Sequence, residues 1–157
     1  KLIDLTTFGN NIDNFYATLP LERNAYRMQH GVEKVVGPGE YDWDKIHQVI
    51  DDFRNGRKST MPCVDLVTQH VDQLTTDLGP VEVLVIDGLY AIATPGVDLA
   101  VFITLTYHET KKAQAGRGKE AVNEFRFRVL EAEHQAVSAL RERAHYLVDN
   151  EYQLHRA

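Results

Sequence analysis

Two aspartates stand where a carboxylate could act on a bound ligand, and Asp87 is the first of them. It follows residues 81–86, a run that is nearly all apolar and β-branched, and it precedes Gly88. Such a run is typical of a strand buried on both faces of a parallel sheet, whose carboxyl end borders the ligand crevice of open α/β folds. In NTPases a carboxylate there holds Mg²⁺, directly or through water. Asp-Gly is also a common turn pair, and for this segment alone a plain turn is the favoured role.

Asp13 is the second candidate and lies in the segment Asp13-Asn14-Phe15-Tyr16, beside another short apolar stretch. A carboxylate at this point could accept a proton from a substrate hydroxyl during phosphoryl transfer. The alternative is an aspartate that caps a helix or closes a turn, which is again the more frequent role of such a residue in isolation.

A cationic segment at 111–119 is the third feature with chemical potential. It contains two glycines and four cations, namely Lys111, Lys112, Arg117 and Lys119. A mobile lid would use such a segment to stabilise charge on a transferring phosphoryl group, whereas the alternative is a solvated loop beside a helix start. Cations near a helix N-terminus are electrostatically unfavourable, which favours a functional role, with Arg117 as the first choice.

The elements that must position these residues alternate between strands and helices. Apolar runs predict strands over 81–86 and 99–105, with shorter ones at 2–5, 12–15 and 145–148. Pro and Asp start signals and Gly stop signals predict helices from Pro20 to near Gly31 and from Asp42 or Asp44 to Gly56. Apolar spacing predicts a third helix from about Glu120 to Arg143, and glycines make 35–40 a loop. Buried strands that alternate with helices indicate an α/β fold with a mainly parallel sheet.

The composition limits the class of protein and its partners. The 157 residues carry a formal net charge of −6, which argues against a nucleic-acid-coating surface. No apolar run approaches the roughly 20 residues that span a bilayer, so no membrane partner and no signal peptide are expected. Cys63 is expected to be a small buried residue. Because it is the one cysteine, no disulfide can form within these residues, which favours a reducing cytoplasm. The seven histidines show no recognised metal-ligand spacing.

Taken in order, the segments resemble those of the uridine kinase/phosphoribulokinase family. Asp13-Asn14-Phe15-Tyr16 is similar to its Asp-x-Phe-Tyr segment, and Tyr41-Asp42-Trp43-Asp44 to its "YDWD" or "FDHPDAFD" region. Residues 56–68 resemble "G-x-x-v-x-x-P-x-Y-D-x-x-T-H", residues 85–90 resemble the Walker-B-like "VIVEGIL", and residues 98–105 resemble "D-L-K-I-F-V-D". The resemblance spans nearly the whole chain.

This resemblance implies a three-layer, P-loop NTPase-like α/β fold in one domain over 1–157. It implies phosphorylation of a hydroxyl on a small nucleoside- or sugar-like acceptor, with ATP and Mg²⁺ as cofactors. Asp13 would be the catalytic base, aided by Arg117, and Asp87 would hold the metal. The acceptor would bind Tyr16, Tyr41, Asp42, Asp65 and Thr68, and the nucleotide would meet the lid cations Lys111, Lys112 and Lys119. Partners would be the acceptor and the nucleotide, and a homo-oligomer is left open.

Three departures from the family pattern qualify this interpretation. The Walker A motif G-x-x-x-x-G-K-[ST] does not occur in these residues, and we expect it, with its strand, upstream of Asp13 in the native protein. Val64 and Gln69 stand where the family places a base-binding Tyr and His, so poor activity on uridine is expected. The strand acid is Asp87 rather than Glu. Two alternatives follow. The first is a degenerate kinase-like protein that binds a metabolite or partner without catalysis. The second is a plain structural or assembly domain, which no feature of the sequence supports.

Overall fold

A computed structural model describes residues 5–109 and 123–157. Short 3₁₀ turns connect several of the regular elements. The helices and strands, in chain order, are β1 (Thr7–Asn11), α1 (Pro20–His30), α2 (Val32–Val35), α3 (Trp43–Arg54), β2 (Lys58–Val64), β3 (Val71–Asp77), β4 (Val83–Asp87), β5 (Val101–Ile103), α4 (Glu124–Ser138), β6 (Tyr146–Val148) and β7 (Leu154–Arg156).

Two compact units divide the chain. The first comprises Lys1–Tyr26 and Gly39–Ala91, and the second comprises Arg27–Pro38 and Ile92–Ala157. The first boundary falls within α1, so one helix contributes residues to both units. The expectation of a single domain over the whole chain stays a prediction.

The first unit contains a parallel strand pair that carries both candidate aspartates. β1 pairs with β4 from Thr7 opposite Val83 to Asn11 opposite Asp87. The strand predicted from the apolar run is confirmed, although Val85 is 45% exposed and not buried on both faces. The strand predicted at 12–15 is wrong. These residues form a 3₁₀ turn because the Asn11 side chain accepts a hydrogen bond from the Asp13 amide and ends the strand.

Helix α3 and a hairpin complete the first unit. The Asp42 side chain caps α3, as predicted, and Gly56 follows the helix end with a φ of +61° that favours glycine. The antiparallel pair β2–β3, which the sequence pattern did not predict, packs β2 against α3. Cys63 is exposed, contrary to expectation, because it lies at the end of β2 where the exposed hairpin loop 65–70 begins. The buried apolar side chains of this unit include Ile12, Phe15, Tyr41, Ile46, Val49, Met61, Leu78 and Tyr90.

The second unit joins a three-stranded sheet to a small helical core. β5 and β6 lie within the strands predicted at 99–105 and 145–148 and pair in parallel, and β6 pairs antiparallel with the unpredicted β7. Asn123 caps α4, which ends at Ser138 and not at the predicted Arg143, and a separate 3₁₀ turn covers Arg141–Arg143.

Helices α2 and α4 supply the buried core of this unit. Val32, Val36 and Val129 are buried together, with Phe125 and Ala132 packed against them. Within residues 5–109 and 123–157, no helix has both the length and the apolar character to cross a bilayer.

Candidate functional site

The parallel pairing of β1 and β4 brings the two candidate aspartates to one edge of the sheet. Asn11, opposite Asp87 in the register, donates from Nδ2 to Asp87 Oδ2 at 3.3 Å. The same amide accepts from the Asp13 backbone N–H at 2.7 Å through its Oδ1. One asparagine therefore binds both segments, and the Asp13 and Asp87 segments meet at the carboxyl ends of two parallel strands.

Gly88 allows the backbone after β4 to pass close to the Asp13 turn. Its φ is +142°, a conformation that L side chains rarely adopt. A Cβ at this position would lie 2.4 Å from Ile12 Cγ1 and 3.6 Å from Asp13 Oδ1. The Asp-Gly pair is thus a turn that also borders the Asp13 segment. Only glycine allows the two backbone segments to come this close.

Tyr41 makes a side-chain hydrogen bond to Asp13. Its hydroxyl donates to Asp13 Oδ1 at 3.1 Å, and the residue is 4% exposed. The ring lies 4.2 Å from that of Tyr16 and meets Tyr90 edge-on at 5.7 Å. Burial, with contributions from Tyr16 and Asp13, raises the pKa of Tyr41 far above its ordinary range. Tyr41 is therefore a protonated hydrogen-bond donor at any working pH.

Backbone hydrogen bonds fix the two segments that carry these side chains against each other. The Asp42 amide donates to the Phe15 carbonyl at 2.7 Å, and the Ala17 amide donates to the Glu40 carbonyl at 2.8 Å. Buried carbonyl and amide groups that are satisfied in this way hold a segment in one position. The end of the turn that carries Asp13 is consequently held against residues 40–42.

A cavity of about 160 Å³ adjoins the Asp13 turn. The Arg23 guanidinium carbon stacks 3.3 Å from the centroid of the Tyr16 ring at this cavity. Lys45 pairs with Asp42 at 2.6 Å, and its hydrogen bonds hold the pKa of Asp42 below the ordinary value. The remaining lining includes Asn14, Thr18, Val64, Val71 and Gln73. A cavity with this lining suits a small polar molecule.

The structure distributes the predicted acceptor residues unevenly. Tyr16 and Asp42 line the cavity, whereas Tyr41 is buried and donates its hydroxyl to Asp13. Asp65 and Thr68 lie in the exposed hairpin loop. Asp65 Oδ1 accepts from the amides of Val67 and Thr68 at 2.8 Å, which lowers the pKa of Asp65. An acceptor-binding role for the two loop residues stays a prediction.

The predicted lid cations cannot be placed. Lys111, Lys112, Arg117 and Lys119 lie outside the described residues. Their assignment to the nucleotide and to catalysis stays a prediction.

The exposed carboxylate of Asp87, beside the Asp13 turn, offers a donor that fits Mg²⁺. This ion keeps several waters and usually binds one or two protein carboxylates together with substrate phosphates. Asp13 and Asp87 are both exposed at the same sheet edge. Across residues 5–109 and 123–157, no group of three or more His, Cys, Asp or Glu side chains is arranged to hold a metal by protein ligands alone.

Sequence reasoning missed several of the residues that shape this site. Asn11 lies directly before the Asp13 turn, and its signal was the Asn-Asn pair at a strand end, where asparagine commonly caps a turn. Arg23 and Lys45 are helical cations whose contact with the cavity depends on how α1 and α3 pack. Spacing along one helix contains no such information.

Comparison with known proteins adds a family and a fold. The model of the "Phosphoribulokinase / Uridine kinase family" matches residues 4–108. A uridine kinase from Ureaplasma urealyticum is 31% identical over 70 residues, which are 42% of this chain and 34% of that enzyme. The chain therefore spans about a third of this curated relative.

Two solved structures share the fold at low sequence identity. Phosphoribulokinase from Rhodobacter spheroides superposes with a TM-score of 0.68 at 9% identity, over 92% of this chain and 60% of that one. The YGR205w protein superposes with a TM-score of 0.56 at 11% identity, over 96% of this chain and 76% of that one. The predicted P-loop NTPase-like α/β class, with a mainly parallel sheet, is confirmed.

Proposed function

The chain belongs to the phosphoribulokinase/uridine kinase family, and on that premise we propose that it takes part in the transfer of a phosphoryl group from ATP to a hydroxyl of a small nucleoside- or sugar-like molecule. The observation that carries the proposal is the position of Asp13. The residue is exposed in the turn that adjoins the cavity, its carboxylate accepts a hydrogen bond from Tyr41, and its backbone amide is bonded to Asn11, which also contacts Asp87.

In this proposal Asp13 accepts the proton of the attacking hydroxyl. The acceptor occupies the cavity, where Tyr16, Asp42 and Arg23 fix its orientation. A positioned carboxylate that removes a proton in the transition state contributes roughly 10² to 10⁴ in rate. Fixing the hydroxyl near the base contributes further, because phosphoryl transfer depends mainly on positioning and electrostatics.

Asp87 is the residue that would hold Mg²⁺, directly or through water. The ion, when bound, neutralises charge on the phosphates. Asp87 lies at the carboxyl end of β4, and its Oδ2 accepts from Asn11, which fixes the carboxylate toward the Asp13 turn. The lid cations, with Arg117 first, would approach the phosphates in the same proposal. The glycine-rich loop that usually cradles a triphosphate does not occur in these 157 residues.

The partners follow from the same chemistry. They would be the small acceptor and the nucleotide, with no nucleic acid and no membrane, in agreement with a net charge of −6. A cytoplasmic location belongs to the proposal and rests on the solitary cysteine, and the oligomeric state is left open.

A coupled ADP-release assay on the product of the full reading frame tests the proposal. We expect turnover with one member of a panel of uridine, cytidine and sugar phosphates. Turnover of uridine should be weak, because the cavity is lined by Val64 where the family places a base-binding Tyr. Asp13→Asn should lower kcat by about 10²- to 10⁴-fold. Asp44→Asn, which changes an exposed carboxylate in the first turn of α3, is the matched control.

Two outcomes would count against catalysis. Silence on every acceptor, with ATP bound normally, would support the non-catalytic alternative. Retention of full activity by Asp13→Asn would remove the base from the mechanism.

A further inference from the structure

We infer that Tyr41 is a positioning residue for the catalytic carboxylate: its hydroxyl donates to Asp13 Oδ1 and leaves Oδ2 directed at the substrate hydroxyl. This inference rests on the proposed function of Asp13 as a base. It assigns Tyr41 a role that differs from the acceptor contact predicted from the sequence.

The geometry of the hydrogen bond supports the assignment. The Tyr41 hydroxyl lies 3.1 Å from Asp13 Oδ1, and the tyrosine is only 4% exposed, so little water competes for this contact. A carboxylate with one oxygen held by a buried donor rotates less freely about its terminal torsion. Its other oxygen therefore keeps a defined direction.

The Tyr41 ring is itself held from several sides. Tyr16 stacks against it at 4.2 Å between centroids, Tyr90 meets it edge-on at 5.7 Å, and Trp43 lies 6.1 Å away. An isolated β-bridge also joins the backbones of Tyr16 and Tyr41. A ring packed among three aromatic neighbours and a bridged backbone presents its hydroxyl in one place, as a positioning residue requires.

In this arrangement Tyr41 acts through Asp13 and touches no reacting atom itself.

The variant Tyr41→Phe tests the inference, because it removes only the hydroxyl and keeps the ring. We expect kcat to fall by about tenfold to a hundredfold, the usual effect of losing one hydrogen bond to a charged group, with KM little changed. Tyr90→Phe, which removes a buried hydroxyl from the same aromatic cluster, should leave kcat within about twofold of the wild type.

A Tyr41→Phe enzyme with kcat within about twofold of the wild type would overturn the inference. An equal loss of kcat in Tyr90→Phe, or a loss in Tyr41→Phe that appears in KM and not in kcat, would reduce Tyr41 to a packing residue and would also overturn it.

A second measurement does not depend on activity. In protein labelled with ¹³C at the tyrosine ζ carbon, Tyr41→Phe identifies the Tyr41 signal. We expect Asp13→Asn, which replaces the charged acceptor by a neutral amide, to move that signal, whereas Asp44→Asn should leave it in place. If the enzyme transfers no phosphoryl group, the proposed function fails, and this signal alone decides whether Tyr41 is bonded to Asp13. A Tyr41 signal at the same position in Asp13→Asn as in the wild type would overturn the inference.

Discussion

Asn11 and Gly88 show how two residues without reactive groups define the candidate site. Asn11 uses the acceptor and the donor of one amide to join the Asp13 turn to Asp87. Gly88 lets the chain after β4 come within van der Waals distance of Ile12. The distance between the two carboxylate segments is thus fixed by an amide on one strand and by a missing side chain on the other.

Gly88→Ala should destabilise the fold and displace the Asp13 turn. The added Cβ would meet Ile12 Cγ1 at 2.4 Å, and alanine disfavours a φ of +142°. We expect a loss of about 1–3 kcal/mol in the free energy of unfolding, measured by urea denaturation. Gly9→Ala on β1, whose Cβ would meet nothing within 4 Å, is the control and should cost much less. Equal stabilities for the two variants would show that the turn relaxes freely.

At the residue scale, the sequence identifies the two carboxylates of the candidate site, but it does not identify the side chains that contact them. Asp13 and Asp87 are marked by adjacent apolar runs, and the parallel sheet brings their segments together as the pattern indicates. The bond between Tyr41 and Asp13 joins residues 28 positions apart. It depends on the packing of an aromatic cluster, which has no local signature in the chain.

At the element scale, local signals succeed where they act within one element. Pro20 begins α1, Asp42 caps α3, and the apolar run forms β4, all as predicted. The hairpin β2–β3 is missed because Pro62 and several polar residues interrupt the alternation that marks a strand. Strand β1 is missed because Gly9 and two asparagines have low strand propensity, and its pairing with β4 overrides that preference.

Asp42→Ala should weaken α3 in a pH-dependent way. The Asp42 side chain accepts from the Lys45 amide at 3.1 Å, and loss of such a cap costs about 1 kcal/mol. Because Lys45 lowers the folded-state pKa of Asp42, the cap contributes fully above the unfolded value of about 3.9 and is lost as pH falls through the folded value. Urea unfolding at pH 7 and in acid should show the gap between wild type and variant narrowing as pH falls.

Asp44→Ala is the control for this effect. Asp44 lies in the exposed first turn of the same helix, where a carboxylate contributes only through the helix dipole, by a few tenths of a kcal/mol. A constant gap between wild type and Asp42→Ala at both pH values would contradict the charge-assisted cap.

At the scale of the whole molecule, a boundary inside a helix raises the question of cooperativity. Helix α1 is continuous from Pro20 to His30, although the two compact units divide after Tyr26. In the second unit the buried Arg27 pairs with Glu133 of α4 at 3.5 Å. Unfolding of either unit would therefore break hydrogen bonds of a helix that also belongs to the other.

We predict that the chain unfolds in one cooperative transition, as a single domain does. Trp43, the one tryptophan, lies in the first unit, so its fluorescence reports on that unit. The 15-residue helix α4 lies in the second unit and contributes strongly to the far-UV circular dichroism. Urea titrations followed by both signals in one sample should give the same midpoint, because the shared helix α1 couples the two units. Separate midpoints would show that the units are independent domains. As a control, a Trp43→Phe variant should have the same dichroism midpoint as the wild type, which would establish that Trp43 itself does not determine the stability that the dichroism reports.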